Sequence, residues 1–264
     1  MVQNQAGGDR ESRWKRHFPW RIFLLQGLND FAGRFQDFLS WPRGKLKVLR
    51  HWFDKRQGGG PAVSAPGLTG PRLPRHSGAW AVLRKRLQAE PGQRLLDTGY
   101  TSPTNINYLT SLGHSVYMAD LVSDANTENW QIGEDDEGHP VWNVESFLKH
   151  TFDFSGRSFD VVLLWTALDY LPQAFVAPVV AHLYTSMNPG GQVLAFFHTT
   201  MQGEEAMHFR YHVTAGDEVE MQLAPQYPIQ RAFTNRSIER LFAGWSGHRQ
   251  FLAKDSVSEV IMTR

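Results

Sequence analysis

The chain has no cysteine among its 264 residues. That excludes a disulfide framework, a thiolate zinc site and a cysteine nucleophile. It also has no apolar run approaching the ~18 residues that cross a bilayer. The best stretch, Ile22-Phe23-Leu24-Leu25, stops at Gln26 and Gly27. No small-residue cleavage site follows it, so it makes a poor signal peptide. Net charge is nearly absent as well, at +1, but this balance has unequal parts. Residues 1–86 hold 17 Lys+Arg and 5 Asp+Glu, whereas residues 87–264 hold 10 and 21. Such asymmetry suggests two jobs, one of them contact with an anionic surface. What is present is 41% hydrophobic and 12% aromatic residues, too much for a wholly disordered chain. The expectation is a soluble cytoplasmic protein, or one peripheral to a membrane face.

Residues 58–78 hold 6 Gly and 4 Pro in 21 positions without any helical or alternating period, and read as a linker. Before it, Leu24, Leu28, Phe31, Phe35 and Phe38 recur at steps of four and three, the stripe of an amphipathic helix between Pro19 and Pro42. Basic residues surround a second short stripe at Leu46, Leu49 and Phe53. The basic helical extension, residues 1–57, has three readings: packing against the main domain, a twin chain or another protein partner; lying on an anionic membrane; or binding nucleic acid, for which charge alone is weak support.

After the linker, residues 79–264 alternate strand and helix in the α/β manner. Short apolar strands at Gln93–Asp97 and Ser115–Asp120 each end in an acid. Phe159–Trp165 and Gln192–His198 read as unbroken apolar runs, expected where helices cover both sheet faces. Ser102 and Pro103 suit a helix start and Gly113 its end. Residues 208–223 alternate as a hairpin; matching its faces sets Val213 opposite Val219 and His212 opposite Glu220. Two closing strands joined by the short run Lys254–Val257 should be antiparallel.

Ligands of an open parallel sheet sit beyond the carboxyl ends of its strands. Asp97 and Asp120 stand at such ends, and Asp120 follows Gly99 by 21 positions. An acid about 20 residues beyond a glycine turn accepts two hydrogen bonds from a ribose diol. The spacing of His208 and His212 would suit a metal on a helix, but the alternation there favours a strand and no third ligand is evident, so no metal is expected.

The segments RLLDTGYTSPTNINYLTSLGHSVYMADL, SFDVVLLWTALDYLP and LYTSMNPGGQVLAFF, followed by the closing antiparallel pair, resemble the class I S-adenosylmethionine-dependent methyltransferase family over residues 79–264. The resemblance implies an α/β fold: a Rossmann-like, seven-stranded, mostly parallel sheet with an antiparallel C-terminal strand. It implies S-adenosylmethionine as cofactor, with Asp97, Gly99, Thr101 and Ser102 around its amino-acid end. Asp120 then binds the ribose and Leu121 faces adenine. Glu145 or Ser146, after the weak strand WNV, lies near the adenine amino group, and Trp165 and Thr166 lie beside the methyl group. Thr101 and Pro103 stand where the family places its second and third glycines. Two functions follow: methyl transfer to a small-molecule acceptor, or a non-catalytic methyltransferase-like binding module acting through the basic extension. His198, ending a strand, is the candidate general base, and Asp169 and Tyr170 are candidates for lining the acceptor site. The hairpin 208–223 is expected to lid that site. The acidic domain argues against a nucleic-acid groove.

Overall fold

The computed structural model describes residues 70–127, 129–201, 207–253 and 255–264. The expected helical extension and most of the expected linker lie outside these residues. The described chain runs β1 (Arg72–His76), α1 (Gly78–Ala89), β2 (Arg94–Asp97), α2 (Pro103–Ser111), β3 (Ser115–Met118) and α3 (Leu121–Thr127). Then come β4 (Gln131–Glu134), β5 (Pro140–Trp142), α4 (Val144–Thr151), β6 (Phe159–Trp165), a single 3-10 turn (Ala167–Asp169), α5 (Gln173–Ser186) and β7 (Met187–His198). It closes with β8 (Phe209–Val213), β9 (Glu218–Leu223), α6 (Asn235–Leu241), β10 (Gly247–Phe251) and β11 (Val257–Thr263).

The main sheet has the order β10-β11-β7-β6-β2-β3. Its strands β7, β6, β2 and β3 are parallel, and β11 runs antiparallel to both β7 and β10. Neighbouring residues on one strand serve opposite faces. Leu96, Val162, Leu164 and Phe197 join one buried cluster, and Leu95, Val161, Leu163 and Phe196 join the other. Both faces are covered, which is why β6 and β7 carry apolar residues without alternation.

Two features differ from expectation. The main sheet has six strands among the described residues, not seven. The weak strand before residue 144 is only Pro140–Trp142, and it pairs with Gln131–Glu134 in a separate two-stranded ribbon. Ribbon residues are mostly exposed, with Ile132 and Val141 open to solvent, so this segment lacks the apolar surface needed to insert into a buried sheet. The linker also ends earlier than its composition suggested. Arg72–His76 is a strand paired antiparallel with β9, and Ser77 caps α1 by accepting from the Trp80 amide. Composition hid the strand because Pro74 can sit on an edge strand.

The hairpin takes the register inferred from face matching, Val213 opposite Val219 and His212 opposite Glu220. With β1 it makes a second sheet of order β1-β9-β8. A buried network fixes this sheet to the main one. The Arg75 guanidinium donates to Glu259 and, at 2.6 Å, to Asp255; Glu259 also accepts from the Ser77 hydroxyl and the Ala79 amide, each at 2.9 Å.

Close packing at the start of β7 leaves no room for a side chain at Gly191. A Cβ there would lie 2.8 Å from the Asn188 carbonyl oxygen and 3.1 Å from that of Asp160. Both are backbone atoms and cannot swing aside. Gly191→Ala is expected to lower stability by about 1–3 kcal/mol, read as an earlier urea midpoint with unchanged m-value.

Candidate active site

The carboxyl ends of β2, β3, β6 and β7 lie along one edge of the parallel sheet, and every sequence candidate except Glu145 and Ser146 lies near one of those ends. Asp97 ends β2 and is buried. Its Oδ1 accepts from the Gly99 amide at 3.1 Å and the Trp165 indole N–H at 2.7 Å, and its Oδ2 accepts from the Asn105 amide group at 2.8 Å. Burial pushes this carboxyl up, and the three donors pull it back. Asp97 therefore braces the loop between β2 and α2. Trp165 ends β6 with φ +50°, a left-handed conformation that a bulky residue adopts only when its surroundings force it. Here the bond to Asp97 and stacking on Tyr211, with ring centroids 5.0 Å apart, hold it. Its indole explains Gly99, where a Cβ would stand 2.7 Å from the Trp165 ring.

The rest of this loop is tied to the second sheet. Ser102 is buried; its hydroxyl accepts from the Asn105 amide and pairs with His212 Nδ1 at 2.8 Å. The other nitrogen of His212 meets Gln222, and burial drives this imidazole down to about 4. A neutral His212 forms no charge pair with Glu220, whose partner is Arg72 at 3.1 Å. Asn105 donates to the Tyr211 carbonyl and accepts from the Val213 amide. Thr101 is exposed, and its carbonyl accepts from Arg210. The hairpin expected to lid an acceptor site clamps the glycine loop, because β8 supplies both backbone and side-chain partners to residues 101–105.

Asp120, after β3, is only partly used. Its Oδ1 accepts from the Ser123 amide at 3.1 Å, and Oδ2 has no hydrogen-bond partner. Burial raises its carboxyl to about 6, with the Ser123 bond opposing and Asp124 and Asp97 adding to the rise. Ser123 meets the Tyr227 hydroxyl at 3.1 Å. The Tyr227 ring lies 5.6 Å from that of His208, and His208 lies 4.9 Å from Tyr170. These rings lead to the end of β7.

There His198 Nδ1 pairs with Asp169 Oδ2 at 2.6 Å, and the same oxygen accepts from the His198 amide at 2.8 Å. Both residues are fully buried. His198 Nε2 and Asp169 Oδ1 have no partner. Burial raises Asp169 to about 6 against the pull of His198. With Asp169 accepting at Nδ1–H, the bare Nε2 is a proton acceptor. Tyr170 packs edge-on against this imidazole at 5.9 Å. Asp169 therefore holds His198 from behind.

Three expected contacts fall elsewhere. Leu121 starts α3 and is wholly buried in the core. Glu145 and Ser146 form the exposed first turn of α4, capped by Asn143, because the segment before them belongs to the outlying ribbon. Sequence reading passed over Asn105, Arg210 and Tyr227. Each gains a partner across about 100 residues of chain, although Asn105 also bonds nearby Asp97.

A doubly covered, mostly parallel sheet with an antiparallel closing strand defines a Rossmann-like domain. Within that class the chain belongs to the methyltransferase-domain family, which it matches over residues 75–244. Solved structures of similar fold include an S-adenosylmethionine-dependent methyltransferase from Methanosarcina mazei (16% identity, 66% of this chain and 93% of that one, TM-score 0.41). Another is the 1,6-didemethyltoxoflavin-N1-methyltransferase of Burkholderia thailandensis (14%, 89% and 88%, TM-score 0.37). A third is TehB from Haemophilus influenzae (12%, 68%, TM-score 0.37), of whose length this chain spans 60%. No curated protein sequence matches the chain. Among the described residues no helix is long and apolar enough to cross a membrane.

Proposed function

We propose that the chain transfers a methyl group from S-adenosylmethionine to a small molecule carrying an ionisable hydroxyl or amine. The observation that carries this reading is Asp120, whose free carboxylate oxygen at the end of β3 suits a ribose diol in a methyltransferase-family domain. The fit extends beyond it: Tyr227 is a half-buried ring near that acid, Tyr100 lies near Tyr227, and the glycine loop is already braced by Asp97. When bound, S-adenosylmethionine supplies an activated methyl group. His198 takes the acceptor's proton at Nε2, Asp169 fixes the imidazole orientation, and Tyr170 and His208 wall the acceptor side. Burial keeps His208 neutral, down to about 4, so it adds no competing charge near His198.

Isothermal titration of the full chain with S-adenosylmethionine and S-adenosylhomocysteine tests the cofactor. Saturable heat is expected, and none from a folded protein overturns the reading. For the base, S-adenosylhomocysteine release is measured across a panel of phenolic and amine acceptors. His198→Gln is expected to reduce kcat about 100- to 10,000-fold while cofactor affinity changes little. Equal turnover by His198→Gln would remove His198 from the chemistry.

A further inference from the structure

Arg210 is a charged residue that the proposed chemistry leaves unused. It lies on β8 and is 2% exposed. Its Nη2 donates to the Thr101 carbonyl, and its guanidinium carbon lies 5.6 Å from the centre of the Tyr100 ring. Among the described residues no carboxylate pairs with it. Its Nε is buried without any partner, and Nη1 makes no hydrogen bond. Neighbouring Arg72 is different, since it is paired with Glu220 and also donates to the Thr104 hydroxyl. A buried guanidinium lacking a counter-ion is costly, and its planar fork matches a carboxylate. Desolvation holds its pKa below the usual arginine value, opposed by the charges of Tyr100 and Asp97.

A helix start commonly receives anions through free backbone amides, but three of the first positions around α2 have none to give. Pro103 has no N–H. The amide of Asn105 is taken by the Ser102 hydroxyl, and that of Ile106 by the Ser102 carbonyl. Asp97, a few residues earlier, offers no positive charge and is already saturated by three donors.

We propose that Arg210 is the carboxylate anchor for the amino-acid end of the cofactor, supplied by the second sheet beside a helix start at which Pro103, Asn105 and Ile106 offer no free amide. The assignment rests on the cofactor reading above. It makes the hairpin part of the cofactor site. It also gives a specificity: ligands with an amino-acid tail gain from Arg210, and ligands without one do not.

The test compares S-adenosylhomocysteine with 5′-methylthioadenosine, which keeps the nucleoside and thioether but has no amino-acid tail. Both are titrated into the full-length wild type, Arg210→Gln and Arg210→Lys, with thermal melts run in parallel. Arg210→Gln should weaken S-adenosylhomocysteine about 30-fold or more and leave 5′-methylthioadenosine within about twofold. Arg210→Lys, which keeps charge and loses the fork, should fall between. Equal loss of both ligands would show that Arg210 only shapes the loop, and unchanged S-adenosylhomocysteine affinity would show that it anchors nothing; either overturns the proposal. Those two outcomes, with wild type still binding S-adenosylhomocysteine, spare the cofactor reading; wild type binding only 5′-methylthioadenosine overturns both. Wild type binding neither ligand overturns both.

Discussion

Asn105→Ala is expected to lower the unfolding free energy by about 3–6 kcal/mol, the sum of several buried groups losing their partners at once. The side chain is wholly buried and makes three contacts: it donates to Asp97 at 2.8 Å and to the Tyr211 carbonyl at 3.0 Å, and it accepts from the Val213 amide at 2.8 Å. Alanine abandons all three and leaves a small void. Urea unfolding measures the loss; a change under about 1 kcal/mol would mean that the two sheets hold together without this bridge. Asn105→Asp separates the contacts further. It keeps an acceptor for Val213 but sets a second carboxylate against Asp97. Its cost should therefore shrink as pH falls and one of the two carboxyls takes a proton, since a protonated oxygen can donate again. A cost independent of pH would argue that the Asp97 contact contributes little.

This bridge also shows what a linear reading can reach. The α/β alternation, the antiparallel closing strands, the Ser102 cap and the hairpin register all depend on local spacing, and each was legible. Asp169 and His198 were legible as separate candidates, His198 ending a strand and Asp169 a few residues past the end of another. Their union follows from β6 and β7 being parallel neighbours, which brings the two carboxyl ends together. Asn105, Arg210 and Trp165 acquire their roles differently. Asn105 reads as an ordinary helix residue until β8 arrives from more than 100 positions away. Arg210 alternates with apolar residues as an exposed strand residue would, yet its side of the strand is covered by the glycine loop. Trp165 looked like a residue beside the ligand; its left-handed φ and its bond to Asp97 make it part of the loop's frame. Glu145 and Ser146 lie away from the parallel strand ends for another reason. Three residues of weak strand carry too little periodicity to say which sheet they join, and burial decided it.

Asp120→Ala is expected to weaken S-adenosylhomocysteine at least about 100-fold, the value of two charge-assisted hydrogen bonds to a carboxylate. The fold should hold, because the residue gives up only the bond from the Ser123 amide. Its own ionisation is unfavourable in the folded protein. Burial raises the carboxyl from 3.8 to about 6, so between those values the folded state binds more protons than the unfolded one. Asp120 therefore makes the protein less stable as pH rises through that window, and Asp120→Asn should remove this slope. Ligand binding has the opposite sign. A ribose diol donates to the ionised form, so affinity should fall below about pH 6, by up to tenfold per pH unit. Titrations of wild type from pH 5 to pH 8 should show this dependence, and Asp120→Asn should show weak affinity that no longer varies with pH. Should the wild type bind S-adenosylhomocysteine with a flat profile, or Asp120→Ala bind as tightly as wild type, the ribose lies elsewhere, because an acid so shifted by burial cannot hold a diol without its charge entering the balance.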